Sequence, residues 1–151
     1  MITPNADIRI YQSYTQGTGT TQVRRMIPYD LENVLFIPSE AENTVRLGNV
    51  NTSRLTVCTL PDRTDLTNYV EPSVWGTWGT VEETEGKFTF RKSDVIIELT
   101  EDVKNVTTVF RTPAEVLTLF NTGGATKAFT IEAVSTIKRD KDTINHFEIV
   151  C

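Results

Sequence analysis

About one residue in six is threonine. Threonine, with valine, isoleucine, phenylalanine and tyrosine, suits the pleated surface of a strand better than the interior of a helix. The chain therefore reads as mainly β. Its clearest alternation is Arg54-Leu55-Thr56-Val57-Cys58-Thr59-Leu60, with Leu55 and Val57 on one face and Arg54, Thr56 and Cys58 on the other, ended by Pro61-Asp62. Residues 7–14 read as another strand, with Ile8, Ile10 and Gln12 on one face and Arg9 and Tyr11 on the other. The turn-prone run from Thr15 to Thr20 closes it and makes Gln22 to Ile27 the return arm of a hairpin. Val34-Leu35-Phe36-Ile37 has the continuous apolar character of a strand buried on both faces. Further strands are predicted at 87–91, 94–99, 128–137 and 144–150, the last pair joined by the charged tip at 138–142, a solvated turn. One short helix, about 112–121, stands out. Thr112 is its N-cap, Pro113 its first residue and Glu115 completes a capping box, before Val116, Leu117, Leu119 and Phe120 supply an apolar stripe.

At 151 residues the chain suits a single β-rich domain spanning 1–151. Fifteen Lys and Arg against twenty Asp and Glu leave a net charge of −5, the wrong sign for holding nucleic acid through its phosphates. No run of roughly 18 apolar residues occurs, and Met1 to Asp7 has neither a basic leader nor an apolar core, so the expectation is a soluble intracellular product that meets no membrane. Cys58 and Cys151 offer no disulfide framework, Cys58 reading as a small buried hydrophobe. His146 is the sole histidine, which excludes a His-rich metal cluster and makes it a satisfied polar residue in an edge strand. There is no Gly-x-Ser-x-Gly elbow, and Gly123-Gly124-Ala125-Thr126-Lys127 lacks the spacing of a phosphate loop. The sequence thus nominates no catalytic, cofactor-binding or metal-binding residue and does not read as an enzyme.

The stretch 61–87 differs from the rest. Six carboxylates against Arg63 and Lys87 give it a charge of −4, and it holds both tryptophans. A loop of this length without periodicity is functional, disordered or waiting for a partner. Trp75 and Trp78 allow two readings: exposed anchors for a protein or sugar surface, or a plug for the core. Glu82, Glu83 and Glu85 read as a solvated acidic loop rather than as cation ligands or a glycosidase pair. Arg24 and Arg25, adjacent on a strand, point to opposite faces as surface residues or ion-pair partners.

The order of these pieces is familiar. A strand at Asp7 to Tyr11 leads to Val23-Arg24-Arg25-Met26-Ile27, then Glu32 to Phe36, Arg54 to Val57 and Tyr69-Val70-Glu71-Pro72. The run Gly86 to Ile97, the helix from Thr112, and the closing Phe129-Thr130-Ile131 and Asn145 to Ile149 complete it. This order resembles the small "minor capsid" proteins of the head-to-tail connector in tailed phages and prophages of Gram-positive bacteria. The resemblance covers most of the chain, is most specific from Gly86 to Ile97 and weakest at 72–85. It implies a structural virion protein of the neck, made in the host cytoplasm, and a fold that is a small β-barrel or sandwich with long loops. Such a head-completion or stopper subunit forms a ring with copies of itself, between portal and adaptor above and tail terminator or tail tube below, and helps retain packaged DNA that passes without specific binding. Inward-projecting loops would be the hairpin tip with Gly17 and Gly19 and the segment with Trp75, Trp78, Glu82, Glu83 and Glu85; Arg24 and Arg25 would contact neighbouring subunits. An adaptor, tail terminator or tail-tube subunit is the alternative within that class, and a carbohydrate- or protein-binding β-sandwich the alternative outside it.

Overall fold

The computed structural model describes residues 4–17, 20, 22–38, 55–59, 64–123, 127–141 and 143–151. Among the described residues there are seven strands: β1 (Ala6–Gln16), β2 (Val23–Pro38), β3 (Leu55–Thr59), β4 (Val95–Glu98), β5 (Ala128–Thr130), β6 (Ala133–Lys138) and β7 (Ile144–Val150). They form one sheet in the order β5-β4-β1-β2-β3-β7-β6, antiparallel at every step. The fold is mainly β. Its two outermost strands are separated in the chain by Ile131 and Glu132 alone, so the sheet must curl until its ends approach. At that corner Ile131 N donates to Asp94 O and Glu132 N to Val150 O, both at 2.8 Å, which ties it to β4 on one side and β7 on the other. Among the described residues no ladder joins β5 to β6, so the sheet is curled without being a closed barrel.

The alternation along β1 sets the two cores. Ile8 and Ile10 point into the curl with Leu31, Val34, Ile96, Phe147 and Ile149, and the rings of Tyr29, Tyr69, Phe88, Phe90 and Phe147 fill its centre at centroid separations of 4.6–6.4 Å. Tyr11 points the other way, with Met26, Val95, Ile97 and Phe110. That outer face is covered by α2 (Glu101–Lys104) and α3 (Pro113–Phe120), which contribute Val103 and Val116; a third helical turn, α1 (Pro72–Trp75), precedes them in the chain. The α3 boundaries follow the sequence. Thr112 Oγ1 accepts from Glu115 N, and Glu115 Oε2 reaches back to Arg111 N at 3.0 Å, one residue beyond the usual capping box. Beyond the helix, Asn121 Oδ1 accepts from both Lys127 N and Ala128 N and so fixes the start of β5.

Several boundaries differ from expectation, each for a visible reason. Residues 34–37 are the end of one long β2 rather than a separate strand, and Leu35 and Phe36 are only half-buried. The join is a bulge: Ala6 faces Val34 and Ile8 faces Leu31, and Asn33 takes φ 58 with its N–H held by Asp7 Oδ1 at 2.9 Å. Residues 87–91 make one bridge, Tyr69 with Phe88, because the Gln12 side chain accepts from Thr89 N where a neighbouring strand would have done so. The expected strand at 128–137 is broken at the corner. The single predicted helix has two four-residue companions, α1 and α2, too short to show a periodicity. His146 lies in β7, an inner strand between β3 and β6, with its ring nitrogens 2.6 Å from Asn145 Oδ1 and 3.3 Å from Glu148 Oε1. The Cys58 side chain and Arg54 lie outside the described residues.

Arg9 shows what burying both faces of β1 demands. Only 8% exposed, it pairs Nε with Asp30 Oδ1 at 2.6 Å and donates Nη1 to the carbonyls of Val103 and Val106 at 2.8 and 3.3 Å. One guanidinium thus satisfies the C-terminal end of α2 and locks it to the sheet. Arg9→Ala takes the guanidinium from Val106 O and from Asp30, while Val103 O keeps the Val106 N–H, and is expected to cost about 2–4 kcal/mol. Asp30→Asn, at a half-exposed position, is expected to cost under about 1 kcal/mol. Urea midpoints of the two variants measure the contrast.

Candidate functional site

The segment 64–87 is ordered against β1 and β2. A 3₁₀ turn at Thr64–Asn68 leads to Tyr69, whose hydroxyl is pushed up to about 12 by burial and the charge of Glu71. In α1 the first residue is Pro72, which has no N–H to leave unpaired there, while Trp75 N and Val74 N both donate to Glu71 O at 3.0 Å. This turn delivers Trp75 into the protein, 1% exposed, with Nε1 donating to Ser13 O at 3.0 Å and its ring edge-to-face with Tyr14. Trp75 is therefore the plug of the two readings, and only Trp78, half-buried 5.4 Å from it, keeps a surface. Tyr14 Oη donates to Trp78 O at 2.9 Å and completes the clamp.

Ser13 is the hub of this arrangement. Its carbonyl accepts from Trp75 and from the Arg91 guanidinium, and its N–H donates to Asp94 Oδ1 at 3.1 Å. Asp94 is itself 2% exposed and sits 3.4 Å from Arg91 Nε. Burial pushes its carboxyl up to about 6, against the opposing pull of Arg91 and the Ser13 N–H. Ser13, Arg91 and Asp94 had no sequence signal, since a serine and an Arg-x-x-Asp turn are unremarkable until the fold brings them together.

The acidic residues lie on the next turn. In the 3₁₀ segment Val81–Thr84, the buried Thr84 donates Oγ1 to Val81 O at 2.6 Å, while Glu83 Oε1 accepts from Gly79 N and Thr80 Oγ1. Glu82, Glu83 and Glu85 are all exposed, and Gly86 follows at φ 71, where a side chain would be strained. The Tyr14 hydroxyl is held above its ordinary pKa by burial first, then by Glu83 and Glu82. A depression of about 310 Å³ opens between this turn and β2, lined by Ile27, Pro28, Tyr29, Val81, Glu82 and Glu85 among others. Beyond Val81 a second, of about 200 Å³, continues along β2 past Arg25 to Val109. Among the described residues no ladder lies on this edge of β2: Met26 N donates outward to Phe110 O, and Pro28, two residues on, presents on the same side a nitrogen without hydrogen.

The fold thus gathers Trp75, Trp78, Glu82 and Glu83 around Tyr14 and sets Arg25 beside Val81. Arg24, equally exposed, faces a separate depression with Arg111 and Glu115. Gly17 lies exposed at the hairpin tip with φ 86, and Gly19 lies outside the described residues. The Cys151 thiol is buried and pushed up to about 12, first by burial and then by Glu132, so it is no nucleophile near neutral pH. Among the described residues no group of three or more His, Cys, Asp or Glu side chains is placed to hold a metal ion.

The model of a family of unknown function, DUF6751, matches residues 2–151. The chain belongs to DUF6751. The match takes in both cores, the Ser13 hub and the acidic turn, so the arrangement lies wholly within the segment that defines DUF6751. No curated protein and no solved structure matches the chain.

The Asp94 carboxyl yields a signed prediction. Its folded pKa of about 6 lies above the ordinary 3.8, so the folded state binds the proton more tightly. This group's contribution is therefore greatest below about pH 4 and falls by up to about 3 kcal/mol as pH rises through about 6. Asp94→Asn keeps an acceptor for Ser13 N and is expected to remove that decline. Urea midpoints of wild type and variant between about pH 4 and 7 test it; parallel profiles would refute it.

Proposed function

We propose that this chain is a structural subunit of the phage neck, a head-completion or stopper protein that forms a ring between the portal-adaptor assembly and the tail and helps retain packaged DNA. The observation that carries this reading is the acidic turn: Glu82 and Glu83 on the 3₁₀ segment Val81–Thr84 and Glu85 just after it are all exposed, a few residues beyond the Trp78 carbonyl that Tyr14 of β1 holds. Carboxylates fixed on a rigid base repel phosphates without trapping them, which suits a surface that DNA must pass. The exposed Arg24 and Arg25 on β2 supply contacts to neighbouring layers or subunits. An adaptor, tail terminator or tail-tube subunit uses the same materials and differs in copy number and position. The glycan-binding alternative loses its platform, because Trp75 is buried and Trp78 alone cannot make a paired aromatic surface.

Quantitative mass spectrometry of purified particles encoding this chain tests the reading. The expected result is a copy number equal to that of the portal protein or half of it. Hundreds of copies would move the chain to the shell or tail tube, and absence from particles would remove the virion reading. The triple variant Glu82→Gln, Glu83→Gln and Glu85→Gln is expected to alter DNA retention in assembled particles while shifting stability by no more than about 0.5 kcal/mol per site. Unchanged retention would take this turn out of the mechanism.

A further inference from the structure

We infer that Asp94 and Arg91 form a proton-operated release: when the Asp94 carboxylate takes up a proton, the Arg91 guanidinium leaves Ser13 and turns to solvent while Trp75 stays docked. The inference stands apart from the neck reading and concerns the Ser13 hub alone. Asp94 closes the turn Arg91-Lys92-Ser93-Asp94, in which Asp94 N donates to Arg91 O at 3.3 Å and Ser93 takes φ 80. Ser93 N donates to Ile131 O and Ile131 N to Asp94 O, so the turn is fixed to the corner between β5 and β6. The carboxylate is thereby held in a place only 2% exposed. Its Oδ1 accepts from Ser13 N at 3.1 Å and its Oδ2 has Arg91 Nε at 3.4 Å, one partner for each oxygen where a carboxylate has room for about four in all. Among the described residues Arg91 is the one charge in contact with it. Of the other groups on the packed segments, Tyr14 Oη is turned to Trp78 O, Glu71 acts on Tyr69, and Lys92 and Glu132 are exposed.

A buried carboxylate with so few partners is readily neutralised, and mild acid is enough, because burial holds this carboxyl near 6. The proton goes to Oδ2, the oxygen that faces Arg91, since Oδ1 keeps accepting from Ser13 N. Arg91 then retains its own charge and loses the opposite one. Its side chain is 27% exposed, close enough to the surface to reach water by rotation and too covered to be solvated in place. Its remaining bond, from Nη2 to Ser13 O, is one that β1 can lose, since the same carbonyl holds Trp75 Nε1 at 3.0 Å. Arg91 is thus the member of the hub whose departure leaves the Ser13 peptide paired on both sides. Water entering behind it accepts the new Asp94 O–H. The step takes one proton from solvent and exchanges the two contacts of Arg91 for water. Below about pH 6 the surface beside Trp75 gains a solvent-facing guanidinium that neutral pH keeps sealed.

Nitrogen-15 NMR of the full chain between about pH 4.5 and 7.5 tests this, reading the Arg91 Nε–H and the two indole N–H signals. Arg91→Lys assigns the first, which it removes, and Trp78→Phe separates the two indoles. In wild type the Arg91 signal is expected to move, with a midpoint at about pH 6, to where solvent-exposed arginines resonate, while the Trp75 indole signal stays in place. About one molecule in ten carries the proton at pH 7, so Asp94→Asn is expected to speed water exchange of the Arg91 Nε–H about tenfold at that pH and to show no step. His146→Gln, which removes the sole histidine, is expected to leave the wild-type step unchanged. The wild-type titration decides the matter even where a variant fails to fold. An Arg91 signal constant over the whole range overturns the release. A step that persists in Asp94→Asn, or vanishes in His146→Gln, overturns the assignment of the proton to Asp94. Loss of the Trp75 indole signal together with that of Arg91 overturns the selective departure and shows the whole segment opening.

Discussion

β1 is buried on both faces, and the rest of the molecule is arranged to satisfy what that burial strands. A buried polar group left unpaired costs about 1–3 kcal/mol, and β1 takes Arg9 and Gln12 out of reach of water and half-buries Ser13. Each finds partners far along the chain: Arg9 in Asp30 and the end of α2, Gln12 in Ile27 O and Thr89 N, Ser13 in Trp75, Arg91 and Asp94. Three otherwise independent segments, at 71–78, 88–94 and 101–106, are thereby docked on one strand. Loosening one of them exposes a polar group on β1 that the other two cannot serve, so the centre of the sheet behaves as a unit.

What the sequence disclosed and what it withheld divide along the same line. The alternation of Ile8, Ile10 and Gln12 against Arg9 and Tyr11 was legible because period two is local, and the start of α3 was legible because Thr112, Pro113 and Glu115 are near neighbours. The β7 limits were equally plain. The bulge at Asn33 was not, since nothing near it in sequence announces that Asp7 will hold its N–H. Residues 87–91 looked like a strand because their side chains suit one, yet a glutamine side chain replaces the ladder. Single-turn helices such as α1 show no period at all. Of the candidate site, the acidic turn and the tryptophans were visible as composition, but which tryptophan faces inward is decided by the Ser13 carbonyl, a backbone atom common to every sequence.

Two surfaces exposed among the described residues differ in kind from this centre. The groove along β2 exists because Pro28 cannot donate to a further strand and because Met26 N is already taken by Phe110 O. It is shaped by the same docking that satisfies β1, and its rim of Glu82, Glu85 and Lys87 follows a turn held by Thr84 and Glu83. Position there is therefore inherited from the core, which is what a recognition surface requires.

The β6–β7 hairpin has no such inheritance. An exposed edge strand is a liability that proteins blunt with proline, inward-pointing charge, bulges or a covering element. The run Ala133-Val134-Ser135-Thr136-Ile137 contains no proline and no charge, its composition is that of a strand meant to be paired, and the one irregularity in its ladder falls at Ile137/Lys138. Lysines enter only at the end and leave the middle of the edge without charge. A strand protected at its tip and unprotected along its length leaves its solubility to the charges at that tip, so the composition of 138–141 matters more to this edge than the residues that form its ladder.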